Sequence, residues 1–157
     1  MILLKTYLLS FFLSMIPLTE LRATVPWIMV THGEQWVGLV IVAIIGNIIP
    51  AIILLWGLGL VDKFLAKRFN FFAKIYNKVL QLTRKKTQKK LLRYGYLALF
   101  LFVAIPLPGT GVWTGAIAAW LFGLPKRQSL ITIILGTVLA AIIMTLISKG
   151  VLLGLSI

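Results

Sequence analysis

The sequence predicts an all-α integral membrane protein, an inverted-topology repeat in which each half is a re-entrant helical hairpin plus one transmembrane helix. Three observations predict it: the apolar composition, the lengths of the uncharged runs, and a sequence match between the two halves. A basic amphipathic interfacial helix is expected to join the halves. The chain then reads as a single membrane domain over 1–157, with repeat 1 at about 5–61, the linker at 62–93 and repeat 2 at about 94–149.

Composition sets the class. Of 157 residues, 61% are hydrophobic and the mean hydropathy is +1.05. A water-soluble domain of this length could not hide so much apolar surface. There is no cysteine, one histidine (His32) and only three acids, Glu20, Glu34 and Asp62. That inventory leaves no disulfide framework and no thiolate metal site, and it nearly excludes a His/Asp/Glu metal cluster or a catalytic triad. No cofactor and no enzymatic activity are expected. A G-x-x-x-x-G-K-[ST] loop is also missing, which argues against an ATP-driven pump. The net charge of +13 is placed for a membrane and not for nucleic acid. Eleven of the 16 Lys/Arg lie between Lys63 and Arg93, Lys126 and Arg127 form a second cluster, and both clusters flank apolar runs.

The lengths of the runs then assign elements. A span needs about 20 residues, because the hydrocarbon core is about 30 Å thick and a helix rises about 1.5 Å per residue. Residues 35–61 and 128–148 each make one crossing. Residues 94–125 are uncharged but too long for one crossing and too short for two with a turn. Their centre, Pro106–Gly111, would break a helix. Arms of roughly 18–21 Å on either side pass the midplane without crossing it, which is the shape of a re-entrant hairpin. A single kinked crossing is the alternative. The N-terminal run repeats the design: residues 6–16 are too short to span, meet Pro17-Leu-Thr-Glu-Leu-Arg22, and are followed by the uncharged Ala23–Gly33. A signal peptide is the competing reading, but Glu20 and Arg22 sit where cleavage would fall and no A-x-A site precedes them.

The halves match in order. IPL at 16–18 recurs at 105–107, Gly33 and Gly46 correspond to Gly123 and Gly136, and IIGNIIPAII (44–53) aligns with ILGTVLAAII (134–143) at five of ten positions. In the linker, Lys63, Lys67, Lys74, Lys78, Lys85 and Lys89 share one helical face, with Leu65, Phe69, Phe72, Tyr76 and Val79 opposite. This suits a helix lying on an anionic cytoplasmic leaflet, in contact with membrane lipids.

Candidate site residues cluster at the two breaks. Glu20 and Arg22 are ionisable groups inside the predicted bilayer, where such groups face a cavity or a partner. Residues two apart on a helix do not face each other, so no simple ion pair between them is expected. Glu20 would begin the returning half-helix, either as a proton-coupling carboxylate or as a cap. Gly109, Thr110 and Gly111 precede a half-helix beginning near Val112 or Trp113, whose free N–H groups can receive an anion or be satisfied by the opposite hairpin. Asn47 and Pro50 lie mid-span, lining a path or gluing helices.

PLPGTGVWTGA, with the ELR-x-x-x-P stretch from Glu20 to Pro26 and GNIIP at 46–50, resembles the small multi-drug export family over nearly the whole chain. That family is distantly similar to the DedA superfamily, whose members carry paired re-entrant hairpins and are implicated in moving phosphate-bearing lipids with proton coupling. The resemblance implies a secondary translocase for a small amphipathic substrate, with Glu20 as the membrane acid and Arg22 as the membrane base. The implied substrate and proton site takes in Pro26, Asn47, Pro106, Pro108, Gly109, Thr110, Gly111, Trp113 and Thr114. DedA proteins tend to carry arginines around the second proline motif. Ala104–Gly111 has none, which leaves Arg22 and the half-helix end as the support for a phosphate. Proton-coupled export of cationic drugs and a non-transporting, lipid-organising role are the other readings. Four membrane segments enclose little volume, which leaves room for a homodimer. The expected location is the cell membrane, multi-pass, in a prokaryotic inner or plasma membrane.

Charge sets the orientation: 62–93 and 126–127 cytoplasmic, 31–35 and both termini outside. Single cysteines placed at Gly33 and Lys126 in this cysteine-free chain should label from opposite faces with an impermeant maleimide. Labelling from the same face would exclude the inverted arrangement.

Overall fold

A computed structural model describes residues 2–68, 88–107 and 109–155. Six helices carry them: α1 (Ile2–Met15), α2 (Glu20–Thr31), α3 (Trp36–Arg68), α4 (Gln88–Ala104), α5 (Val112–Leu121) and α6 (Lys126–Leu155). Pro108 and most of the expected interfacial helix, residues 69–87, lie outside the described residues.

Among the described residues, only α3 and α6 are long and apolar enough to cross a membrane. The qualifying segments are Trp36–Leu58 and all of Lys126–Leu155, each with a hydropathy of 2.7. The first, 23 residues, reaches ~35 Å. By contrast α5, with 10 residues, reaches only ~15 Å, about half the hydrocarbon thickness. Boundaries differ from the sequence expectation at three places. Helix α6 runs to Leu155, past Lys149. Helix α3 continues to Arg68 and α4 starts at Gln88, inside the basic segment. Charge marked where the apolar run stops, but a lysine is a good helix former and does not end a helix.

Two helical hairpins flank the long helices. Pro17 disfavours helical backbone at Ile16 and ends α1. The Thr19 hydroxyl donates back to the Leu13 carbonyl and closes the turn. The arms run antiparallel, since Thr6 near the start of α1 lies 3.4 Å from the His32 ring beyond the end of α2. In the second hairpin, α4 ends at Ala104 and α5 starts at Val112. Tyr96 Oη donates to Gln128 at 2.5 Å, which brings the start of α4 to the start of α6, just past the end of α5.

The long helices are antiparallel, and this follows from who shares a core. Leu39, Val40 and Ala43 of α3 pack with Ala141 of α6 and with Leu21, Val25 and Ile28 of α2. Ala51 and Leu55 pack instead with Ile133 of α6, Leu99 and Val103 of α4, and Val112 and Ala116 of α5. Two apolar cores result, one at each end. Between them lies a buried polar layer that includes Asn47 of α3, 2% exposed, and Thr137 of α6, 1% exposed. The outer faces stay apolar: Ile41, Ile45, Ile52 and Ile53 of α3 and Ile131, Leu135, Ile142 and Leu146 of α6 are exposed, as suits lipid contact.

Each hairpin leans on both long helices. Its first arm packs chiefly on the long helix that follows it, α1 on α3 and α4 on α6, and its second arm chiefly on the other, α2 on α6 and α5 on α3. Matching glycines make the close contacts. A Cβ at Gly46 would collide with the Phe11 carbonyl and the Ser14 hydroxyl of α1, and one at Gly136 would lie 2.9–3.1 Å from Val103 and the Phe100 carbonyl of α4. Gly46→Ala should therefore destabilise the protein by about 1–3 kcal/mol. Gly57→Ala, with open space around it, should be neutral or stabilising. Thermal unfolding in detergent checks the pair.

Candidate functional site

The turns of the two hairpins meet in the polar layer. Glu20 opens α2 with φ of 39°, a left-handed conformation rarely adopted by a residue with a side chain. That backbone turn brings its carboxylate back over Arg22, whose Nη1 donates to Oε2 at 2.7 Å. The sequence expectation of no ion pair between these residues is thus overturned. The i,i+2 rule holds for regular helical backbone, and Glu20, the first residue of α2, has a left-handed φ instead.

Arg22 reaches across to the other hairpin. Its Nη2 donates to Thr110 Oγ1 at 2.7 Å. Thr110 accepts that bond and shares its single O–H donor between the carbonyls of Ile105 (2.8 Å) and Leu107 (2.9 Å). The main-chain N–H of Trp113, in the first turn of α5, points to Glu20 Oε1 at 3.5 Å. The Trp113 indole Nε1 donates to the Met15 carbonyl at 3.0 Å, tying α5 to the end of α1. Negative charge at a helix N-terminus is favoured by the dipole and by the unpaired N–H groups there.

Gly111 makes the approach feasible. Its φ is 156°, and a Cβ there would collide with the Glu20 carboxylate and lie 2.7 Å from Arg22 Nη1. Beside this contact lies a pocket lined by Glu20, Arg22, Asn47, Gly111, Val112 and Thr137, with apolar walls from α2, α4 and α6. Its free space is about 10 Å³, on the order of one water molecule. Three buried polar atoms nearby in the fold have no partner: Arg22 Nε, Asn47 Oδ1 and Thr24 Oγ1. Buried polar groups are normally paired, so these ask for an explanation.

The structure brings together Glu20, Arg22, Asn47, Thr110, Gly111 and Trp113 from the predicted set. It leaves others outside the pocket lining. Pro26 sits inside α2, where its missing N–H leaves the Arg22 carbonyl without an i+4 donor. Pro106 is half-buried in the loop, Gly109 is exposed with φ of 83°, and Thr114 is exposed with its hydroxyl 3.4 Å from the Gly111 carbonyl. Sequence reasoning missed Thr137. The signal was available, because Thr137 is the residue aligned with Asn47 in the internal match, and both line the pocket. His32 stays at the hairpin end, 2.6 Å from the Thr31 hydroxyl. Among the described residues no group of three metal-ligating side chains occurs.

Residues 20–143 match a family described as "Putative small multi-drug export protein". The chain belongs to this family. The matched stretch begins at Glu20, just after the turn of the first hairpin, and takes in both ion-pair residues, the turn of the second hairpin and the whole pocket lining except Met144. Searches of curated proteins and of solved structures gave no match. With its two long apolar helices, membership of the small multi-drug export family makes this chain a membrane transporter.

The two tip glycines should behave differently. Gly109→Ala meets nothing within 4 Å, and should cost only the roughly 1–2 kcal/mol of a left-handed backbone. Gly111→Ala must displace the Glu20–Arg22 pair and should cost about 3–5 kcal/mol, as breaking a buried ion pair does. Unfolding midpoints of the two variants, side by side, test the ranking.

Proposed function

We propose that this small multi-drug export protein is a secondary translocase, carrying an amphipathic substrate through a midplane site between two re-entrant hairpins, coupled to protons at Glu20. One observation carries the proposal. The two hairpins, packed against opposite ends of an antiparallel helix pair, bring their turns together at a buried acid, a half-buried base and a helix N-terminus. Broken half-helices that point at a midplane site are how secondary transporters bind ions and charged substrates. A passive bundle gains nothing from an ionisable pair held between two apolar cores, because such groups are costly in a membrane.

Further support comes from the matched environments of the two halves. Gly46 and Gly136 each receive the first arm of their own hairpin, and Asn47 and Thr137 face the same pocket. This is the arrangement expected of an inverted repeat with one crossing per half. Arg22 favours an anionic headgroup on the substrate. The membrane lipids are both surroundings and candidate cargo, and a second copy of the chain would widen the enclosed space. A second reading, export of cationic drugs against protons, draws on the family description and on Glu20 as the one acid in the pocket.

Proteoliposomes with an internal pH-sensitive dye separate the readings. Under an imposed pH gradient, a fluorescent short-chain phosphatidic acid should cross in wild type and carry protons with it. Glu20→Gln should insert normally yet lose the pH dependence of flux. Arg22→Gln should slow the anionic lipid and leave ethidium unaffected or faster. If Glu20→Gln transports with an unchanged pH profile, coupling through this residue is wrong. Ethidium flux alone would favour the second reading.

A further inference from the structure

The Glu20 carboxylate sits where an outside anion would be expected to bind. Arg22 Nη1 donates to one of its oxygens at 2.7 Å and the Trp113 N–H of α5 addresses the other at 3.5 Å. Gly111 keeps the space clear. Helix α5 has 10 residues, and the first-turn N–H groups of such a helix, with its dipole, form an anion seat. A helix end met by a side chain is common, and alone it says nothing about a ligand.

Two atoms left over on the same pocket say more. Asn47 is 2% exposed and lines the pocket, yet its Oδ1 has no partner. Arg22 Nε is buried and has no acceptor. A carboxylate only accepts, so Glu20 cannot answer Asn47, and it has already been used on Nη1. One open donor and one open acceptor on one pocket match a group that both accepts and donates, an oxyanion carrying a hydroxyl.

We infer that Glu20 is a resident stand-in for the substrate's anionic group: a hydroxyl-bearing oxyanion binds Arg22, the α5 N-terminus and Asn47 by replacing the Glu20 carboxylate, which takes up one proton as it leaves. This rests on reading the pocket as the substrate site and adds how that site is filled and emptied. The free space of about 10 Å³ is too small for both anions, so occupancy must be exclusive. Charge is conserved across the exchange. Before it, Arg22 is balanced by Glu20. Afterwards Arg22 is balanced by the incoming oxyanion, and Glu20 is neutral with a proton drawn from the aqueous phase. Anion and proton therefore ride together, and no buried charge is left unpaired. Among the described residues, Arg22 is the only other charged or titratable side chain on this pocket: α3 contributes Asn47, α6 contributes Thr137 and apolar residues, α4 and α5 contribute valines, and Gly111 precedes α5.

Equilibrium binding tests the exchange without any transport. The full chain in phosphatidylcholine nanodiscs is titrated calorimetrically with inorganic phosphate and, separately, with dihexanoylphosphatidic acid. Glu20→Gln removes the competing charge and should bind the effective probe at least about tenfold more tightly than wild type near neutral pH, one proton's worth of linkage over one pH unit. The ratio of the two affinities should shrink as the pH falls, while Glu20→Gln itself reports only the probe's own titration. The double variant Glu20→Gln/Arg22→Gln leaves no orphan charge and should lose binding. Tight binding of phosphatidic acid alone assigns the anion to a lipid headgroup, and binding of both assigns it to a free phosphate as well. Equal affinity of wild type and Glu20→Gln for both probes, or no binding by either protein, overturns the inference. Competition without flux would keep it and remove the transport reading. Flux without competition would do the reverse.

Discussion

The Glu20–Arg22 ion pair is the constraint around which the fold is arranged. Its side chains are 6% and 21% exposed, in a chain whose cores and outer faces are apolar. Desolvating two charges costs several kcal/mol per ion, and the attraction between them offsets this only if the remaining donors and acceptors are also met. The molecule meets two of them from the other hairpin, through the Thr110 hydroxyl and the Trp113 N–H, and leaves Arg22 Nε open. That requirement explains why the turns of both hairpins lie in the polar layer between the two apolar cores. It also explains Gly111, the one residue type that lets the turn of the second hairpin lie against the carboxylate.

The same requirement organises the cores. Apolar packing at each end of the α3–α6 pair leaves a polar layer where the turns meet, with Asn47 and Thr137 lining it from the two long helices. Each hairpin is held by both long helices. A half-chain would therefore expose one apolar face of its own second arm and would strand the ion pair without its acceptors. Stability and site are properties of the whole chain. Burying a branched side chain is worth about 1.5–3 kcal/mol, so Ile28 and Ile133, both 0% exposed, help to hold the turns in contact from opposite ends.

Much of this was legible in the sequence. One run too short to cross and one that fits neither one crossing nor two located the breaks, and the proline and glycine content of residues 104–111 placed the start of α5 near Val112 or Trp113. The residues at the turns, Glu20, Arg22, Thr110 and Gly111, announced themselves because charge and glycine are out of place in such runs. What was not legible depended on backbone geometry. The ion pair hinges on a positive φ at Glu20, which no spacing rule anticipates for a glutamate. Thr137 was hidden by its ordinariness, since a threonine in a membrane helix usually bonds its own backbone, as this one does to Ile133. Helix ends at Arg68 and Gln88 were missed because charge bounds a hydrophobic run and not a helix.

The crossed packing of the hairpins has a consequence for how the chain is made. Helix α2 leaves the ribosome early, yet its main packing partner is α6, which begins at Lys126. The acceptors of Arg22 on the second hairpin, Thr110 above all, lie 88 residues downstream of it. During synthesis, then, Glu20 and Arg22 enter or approach the bilayer with only each other for company. The packing of the first hairpin is therefore completed only once the last helix has been made, and the two halves close on each other as one unit.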